Sequence, residues 1–285
     1  MKFAASSKIF WDYSLEETLK MVKQLGLDGL EINCRPPHFH MEWTEQDFRR
    51  IGSLAKELEL EIPNLSGYMG GNRGDEEEER EFDSILEASV HLNADYIRVQ
   101  VGGPNAFLAD EDDYKQAAQW VNQCAYKAKL VNKKIVIELG NGTLVESSKD
   151  ALKLLSYLYM DNVGFVHDAG NMFISRADYG AESIKRLGSK LYYVHVKGER
   201  RTGRLGEPGS FLSKTNRGTE YFVQSMLESG EVDHTPVFRA LIEQQYNGWV
   251  TLECHAPLPP FDRVKQDYEY VKRLLTQLEK VSAEE

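Results

Sequence analysis

Short strand-like runs alternate with longer helical segments from one end of this chain to the other. Eight such runs, seven of them rich in Val, Ile, Leu or aromatic residues, lie at residues 2–5, 29–33, 61–65, 96–101, 134–138, 164–168, 191–196 and 249–253. A strand, a helix and a second parallel strand form a right-handed crossover, so this order predicts an α/β fold with a parallel sheet. Eight units without an evident linker favour a closed (β/α)8 TIM barrel over an open doubly wound sheet.

The segments between these runs carry helix start and stop signals. Ser14 precedes an apolar helical period with Glu17 three residues later, which is the pattern of a capping box, and Gly26 follows the last turn. The chain has 285 residues, and a single barrel commonly takes about 250. We therefore predict one barrel domain over residues 1–285.

One strand-to-helix connection is much longer than the others. It covers residues 199–234, whereas such connections usually take about 2–6 residues. A long loop at the active face of a barrel is usually functional, so we predict a lid there that contributes an arginine to a substrate site. Packing against a second subunit of a homo-oligomer is the alternative role for this insertion.

Composition and charge exclude some classes of protein and disfavour others. The formal net charge of −11 disfavours a nucleic-acid partner, because phosphate binding needs clusters of Lys and Arg. Three cysteines without CxxC spacing cannot form a disulfide framework and indicate reduced thiols. The first residues are too polar for a signal peptide, and no apolar run approaches the length of a membrane span. We expect a cytoplasmic protein without a membrane partner.

Four consecutive predicted strands end in a residue that can bind a metal. The runs IVIE, VGFVHD, LYYVH and WVTLE end at Glu138, Asp168, His195 and Glu253. Alternate residues of a barrel strand point inward, and the last inward residue lies at the rim where the chemistry of this fold occurs. The four side chains are therefore predicted to converge above the barrel axis.

A divalent metal ion bound by all four side chains is the interpretation that this convergence favours. Three carboxylates in a semi-enclosed rim raise one another's pKa values, and a cation removes that conflict. Three oxygens and one imidazole suit Mn²⁺ first, with Mg²⁺, Co²⁺, Zn²⁺ or Fe²⁺ as alternatives. The competing interpretation is that these side chains are simply solvated or hydrogen-bonded. It accounts for any one of the residues, but it accounts poorly for four of them in register on adjacent strands.

Three further polar residues are predicted at the mouth of the barrel. Glu31 shares the inward face of the second strand, where it either binds a substrate hydroxyl or braces a neighbouring side chain. Arg98 faces inward on the fourth strand and needs an anionic or polyol partner, or else an ion pair with Glu31 or Glu138. Lys197 continues the phase of His195 and is predicted to enter the site.

The ordered set of segments LGLDGLEI, IVIELGNG, VGFVHDAGN, YYVHVKG and GWVTLECH resembles the xylose isomerase-like barrel superfamily over nearly the whole chain. That superfamily includes ketose 3-epimerases, hydroxypyruvate isomerases, inosose dehydratases and endonuclease IV. The resemblance implies metal ligands at Glu138, Asp168, His195 and Glu253, with the two glutamates as the acid/base pair. It also implies an arginine near Arg201 that touches substrate. The epimerases often carry a histidine where this chain has Asn171, which separates the chain from that pattern. We predict Asn171 as a substrate-binding residue, together with Arg201, Lys197, Arg98 and Glu31.

These residues predict a metal-dependent isomerase or epimerase of a small sugar or sugar-like hydroxyketone. One glutamate would remove a proton next to a carbonyl, and the metal would stabilise the enediolate as a Lewis acid. Loss of a β-hydroxyl from the same site would instead give an inosose-type dehydratase. An endonuclease IV-like nuclease is the less favoured alternative, because the family's nuclease holds three zinc ions with several histidines from strands three and four, and the matching segments IPNLSGYMG and YIRVQVGGP contain none. A carbohydrate-binding protein without turnover is disfavoured by the presence of both glutamates.

Overall fold

A closed parallel barrel of eight strands forms the centre of the protein in a computed structural model, which describes residues 1–71 and 75–284. The barrel strands are β1 (Lys2–Ser6), β2 (Gly29–Asn33), β3 (Asn64–Ser66), β4 (Tyr96–Val99), β5 (Lys134–Glu138), β6 (Val163–Asp168), β7 (Leu191–Val196) and β11 (Trp249–Leu252). Their order around the barrel is β1-β11-β7-β6-β5-β4-β3-β2. The predicted (β/α)8 TIM barrel is therefore confirmed.

Helices surround this barrel and begin at the capping residues that the sequence indicates. The helices are α1 (Leu15–Gln24), α2 (Glu45–Glu57), α3 (Glu76–His91), α4 (Glu111–Leu130), α5 (Ser148–Leu155), α6 (Ala169–Ile174), α7 (Ala181–Leu187), α8 (Thr235–Glu243) and α9 (Pro260–Glu284). The Ser14–Glu17 capping box is formed at the start of α1. Within the described ranges, no helix has both the length and the apolar character that crossing a membrane requires.

The insertion after β7 is a folded sheet, and the prediction of a loop over residues 199–234 was wrong in this respect. Strands β8 (Gly198–Thr202), β9 (Ser210–Thr215) and β10 (Gly218–Ser225) form an antiparallel sheet in the order β8-β10-β9. Glycine and charged residues around the strands obscure their alternation in the sequence. The sheet stands on the C-terminal rim because β8 begins two residues after β7 ends.

Inside the barrel, a small apolar layer closes the floor beneath the rim. It consists of Ala4, Val136, Val166, Tyr193 and Trp249, all buried. Val136, Val166 and Tyr193 each lie two residues before a predicted ligand, so they share its inward face one layer lower. The ligand side chains consequently lie on a packed core rather than over a channel.

A second difference concerns strand lengths. β3 covers Asn64–Ser66, and Glu61 forms only an isolated bridge with Gly29. Pro63 accounts for this shift, since proline has no N–H to donate to a ladder.

All three cysteines are buried free thiols, as predicted.

Candidate metal centre

The ends of β5, β6, β7 and β11 bring the four predicted ligands together. One ligand atom from each of Glu138, Asp168, His195 and Glu253 lies within 4.8 Å of the others. The register explains this, because Asp168 lies opposite His195 across the β6–β7 ladder and Glu253 N–H donates to Val196 O at 3.0 Å. Consecutive parallel strands thus end at one level of the rim.

The His195 imidazole is oriented by Glu31 with its other nitrogen toward the carboxylates. Nε2 lies 2.9 Å from Glu31 Oε2, and Ser66 Oγ donates to the other oxygen of Glu31 at 2.5 Å. Nδ1 lies 3.5 Å from Glu138, 3.9 Å from Asp168 and 3.8 Å from Glu253. Nδ1 is buried and has no hydrogen-bond partner. A carboxylate that accepts the Nε2 proton leaves Nδ1 as a lone-pair donor, which is how metal-binding histidines are usually fixed.

Two buried cations balance the carboxylates. Arg98 donates to Glu138 Oε2 at 2.5 Å, the ion pair that the sequence offered as one alternative for this arginine. Lys197 Nζ lies 2.9 Å from Asp168 Oδ2 and 3.0 Å from Glu253 Oε2. Burial of a carboxylate or ammonium is costly unless a partner compensates it, so these pairs make the arrangement of charges tolerable.

Asn171, three residues after Asp168, donates hydrogen bonds to two of the candidate ligands. Its side-chain nitrogen donates to Glu138 Oε1 at 2.8 Å and to Asp168 Oδ2 at 3.0 Å. Its backbone N–H donates to Asp168 Oδ1 at 2.8 Å at the start of α6. The amide therefore orients these carboxylates without adding a titratable group.

The protonation states of the group are strongly perturbed. Burial raises the pKa of the Asp168 carboxyl to about 7, although Lys197 acts in the opposite direction. Burial alone would lower the pKa of His195, but the Glu31 and Glu138 carboxylates raise it well above its ordinary value. Burial would likewise raise the pKa of Glu253, but the Lys197 ammonium holds it well below its usual range. Such clustering of perturbed groups is typical of functional sites.

A cavity of about 200 Å³ opens directly onto this group. Of the predicted site residues, Arg98, Glu138, Asn171, Lys197 and Glu253 line it. Tyr68, Gln100, Asn141 and Thr143 add hydrogen-bonding groups to its wall. The cavity is small and polar, which suits a sugar-sized molecule rather than a polymer.

Two predicted substrate contacts are not part of this cavity. Glu31 is 1% exposed and lies behind His195, so it braces a neighbour, the second of the two roles predicted for it. Arg201 lies on β8, where it pairs with Glu231 at 3.0 Å and stacks over Phe173. The structure therefore does not bring Arg201 to the candidate ligands.

The insertion sheet covers one side of the mouth. Asn105 donates to Lys214 O at 3.2 Å, and Asn141 donates to Ser213 Oγ at 3.4 Å, which connects β9 to the loops after β4 and β5. Phe222 of β10 packs edge-on against Phe173 of α6. These contacts hold the sheet at the rim in the position predicted for a lid.

Two charged residues near the site were missed from the sequence. Lys8 lines the cavity from the turn after β1. Glu199, on β8, is 3% exposed and has one carboxyl oxygen without a partner. The strand phase offered no signal for Lys8, because it lies beyond the end of β1, and Glu199 belonged to a segment predicted as a loop.

The donor set fits one divalent cation. Three carboxylates and a neutral imidazole nitrogen match the preference of Mn²⁺, Mg²⁺ and related ions, and the buried Nδ1 without a partner is directed at the same point as the oxygens. In the part of the chain that the structure describes, this is the one group of such side chains that could hold a metal. A three-zinc nuclease centre therefore has no counterpart there.

The fold and this group of side chains together define the class of the protein. It is a TIM barrel with a candidate metal centre at the C-terminal ends of its strands. Residues 19–274 match the family model described as xylose isomerase-like TIM barrel. The chain belongs to this family, as its sequence segments predicted.

Curated relatives and solved structures agree with this placement. Inosose dehydratase of Clostridium perfringens is 24% identical over 282 residues, covering 91% of this chain and 89% of the relative. Inosose dehydratase of Geobacillus kaustophilus is 25% identical, but the match covers 59% of this chain and about half of the relative, 55%. The probable 3-DHS dehydratase AsbF from Bacillus anthracis has a TM-score of 0.78 at 17% identity, covering 95% of this chain and 99% of that one.

An epimerase is structurally just as similar. L-ribulose 3-epimerase has a TM-score of 0.77 at 16% identity, covering 99% of this chain and 97% of that chain. At these identities the structural likeness shows the fold alone. Both isomerases and lyases are therefore found among the proteins that this chain resembles.

Proposed function

We propose that the protein is a metal-dependent enzyme that enolises a small sugar-like hydroxyketone, with isomerisation or epimerisation as the outcome. The observation that carries the proposal is the buried, unpartnered Nδ1 of His195, which faces three carboxylates beside a polar cavity. Glu138, Asp168, His195 and Glu253 would hold one divalent ion, with Mn²⁺ as the first candidate. That ion supplies Lewis-acid polarisation of a carbonyl when bound.

The residues around the ion divide the remaining tasks. Glu253 is the better-placed base, because Lys197 engages one of its oxygens at 3.0 Å and the other lies 3.8 Å from His255, beyond hydrogen-bond distance. Glu138 has Arg98 on one oxygen and Asn171 on the other. Epimerisation also requires Glu138 to deliver a proton to the opposite face of the reacting carbon. The contacts of Glu138 with Arg98 and Asn171 must leave one of its oxygens accessible for this step.

Dehydration is the second candidate function, and Lys197 is the observation that favours it. Its ammonium group lines the cavity next to Glu253, where it can donate a proton to a departing hydroxyl group. A base and an acid on one side of the cavity suffice for loss of water, whereas inversion of a carbon needs two sides. The curated relatives named inosose dehydratase support this outcome.

Substitution of the two glutamates tests the proposal. Glu138→Gln and Glu253→Gln retain shape and an oxygen, but neither can accept a proton, so each should lower turnover by about 10²-fold or more. Glu269→Gln on the exposed side of α9 is the matched control and should leave turnover unchanged. Product analysis by NMR separates the two outcomes, since dehydration alone releases water. Normal turnover of both variants with metal bound would refute the assigned acid/base roles.

A further inference from the structure

The barrel mouth has two halves with different chemistry. The candidate ligands come from the adjacent strands β5, β6, β7 and β11, which form one half of the ring. The other half, β1 to β4, contributes Lys8, Tyr68, Arg98 and Gln100 to the same cavity. A substrate whose carbonyl lies at the metal half can extend its remaining atoms toward β1 to β4, and β1 adjoins β11, the last of the ligand-bearing strands.

Lys8 differs from the other cations of the cavity because its charge is not paired. Arg98 is paired with Glu138, and Lys197 with Asp168 and Glu253. Among the described residues, none of the ion pairs within 4 Å involves Lys8, and Lys8 is exposed. It follows β1 in the short turn Ser7–Phe10, whose Ser7, Ile9 and Phe10 are buried and fix the turn on the barrel. The lysine is thus held at the mouth by a rigid support.

The other buried charges of the site have partners within it. Arg98 engages Glu138, Lys197 engages Asp168 and Glu253, and the Glu31 carboxylate engages His195. Lys8 is a further cation on the cavity wall, and it has no ion-pair partner of this kind among the described residues. It is therefore available to an anionic group of a substrate that extends toward β1.

We propose that Lys8 binds a carboxylate on the part of the substrate that extends over β1, so that the preferred substrate class is a hydroxyketone acid rather than a neutral sugar. The inference rests on the proposed function, since it assumes that the carbonyl lies at the candidate metal centre. An ammonium–carboxylate hydrogen bond is stronger than one between neutral groups, and a partly enclosed mouth screens it less than bulk water does.

Calorimetric binding of two matched probes tests this proposal. D-fructose and D-fructuronate differ by a terminal carboxylate, and both are titrated into Mn²⁺-loaded protein. We expect the wild-type protein to bind the acid about tenfold tighter or more, as the strength of a charged hydrogen bond implies. In Lys8→Met this preference should fall below about threefold, and Lys8→Arg should restore most of it. Lys20→Met, at an exposed position on α1, is the matched control and should keep the full preference.

The outcomes separate this proposal from the proposed function. An acid preference below about threefold in the wild-type protein, including absence of binding, overturns the role of Lys8. A preference that survives in Lys8→Met also overturns it, because the carboxylate would then be bound elsewhere, for example at the metal. If the preference depends on Lys8 but no ketose, hydroxyketone acid or inosose of a panel exchanges a proton in deuterated water, the anion site stands and the enolisation proposal fails.

Discussion

Replacement of Glu31 by Gln isolates the contribution of one buried charge to metal binding. Glu31 Oε2 accepts from His195 Nε2 at 2.9 Å, and both side chains are at most 1% exposed. Glutamine keeps the volume and an acceptor oxygen but removes the charge that makes Nδ1 a strong donor. The glutamine amide can adopt two orientations. If its nitrogen faces Nε2, the ring proton moves to Nδ1 and blocks the metal. If its oxygen faces Nε2, its nitrogen faces Ser66, whose hydroxyl oxygen must then accept a hydrogen bond instead of donating one.

The expected effect is a loss of about 10–100-fold in metal affinity, the usual cost of removing such a supporting contact, or about 1.4–2.7 kcal/mol. The assay is calorimetric titration of Mn²⁺ into metal-free protein, with circular dichroism to establish that the variant is folded. Glu61→Gln is the control, because that side chain is 58% exposed in a surface pair with Lys2 and should leave the affinity unchanged. An affinity of Glu31→Gln within about twofold of wild type would refute the role of Glu31 and the use of Nδ1 as a ligand.

Two further predictions follow from the same geometry. Because burial raises the pKa of Asp168 to about 7, the metal-free carboxyl is mostly protonated at pH 6 and ionised at pH 8. The metal must displace this proton and also the proton that the raised pKa keeps on His195, so the Kd for Mn²⁺ should fall by about tenfold or more between these values. Calorimetry at both pH values measures this, and a pH-independent Kd contradicts it. Arg201→Ala should change kcat/KM by less than about threefold, because Arg201 pairs with Glu231 outside the cavity; a loss of 10²-fold or more in steady-state kinetics would show that the arginine reaches the substrate.

The barrel and the candidate ligands were predictable because both depend on local periodicity. A strand of alternating residues fixes which side chains face inward, and four such strands in sequence place Glu138, Asp168, His195 and Glu253 at one rim. The same rule identified Arg98 and Lys197 as inward-facing. Glu138 was one of two ion-pair partners predicted for Arg98, whereas the partners of Lys197 followed only from the three-dimensional arrangement.

The role of Glu31 shows why the rest could not be predicted. Its inward direction was correct, but its partner His195 is 164 residues away, and periodicity does not report which side chains meet across the barrel. Arg201 was predicted near the substrate because it follows His195 closely, in a segment predicted as a lid loop, and best matches an arginine that the family resemblance implies. In the antiparallel sheet it lies opposite Phe222, and its side chain packs on Phe173 instead.

Proton exchange in deuterated water tests the central claim most directly. Metal-loaded protein is incubated in D₂O with a panel of ketoses, hydroxyketone acids and inososes, and NMR follows deuterium at the carbon next to the carbonyl. The account predicts incorporation into at least one compound, lost on chelation of the metal and in Glu253→Gln. Conversion of a panel member without any exchange at that carbon, or exchange that persists after chelation, would contradict metal-dependent enolisation.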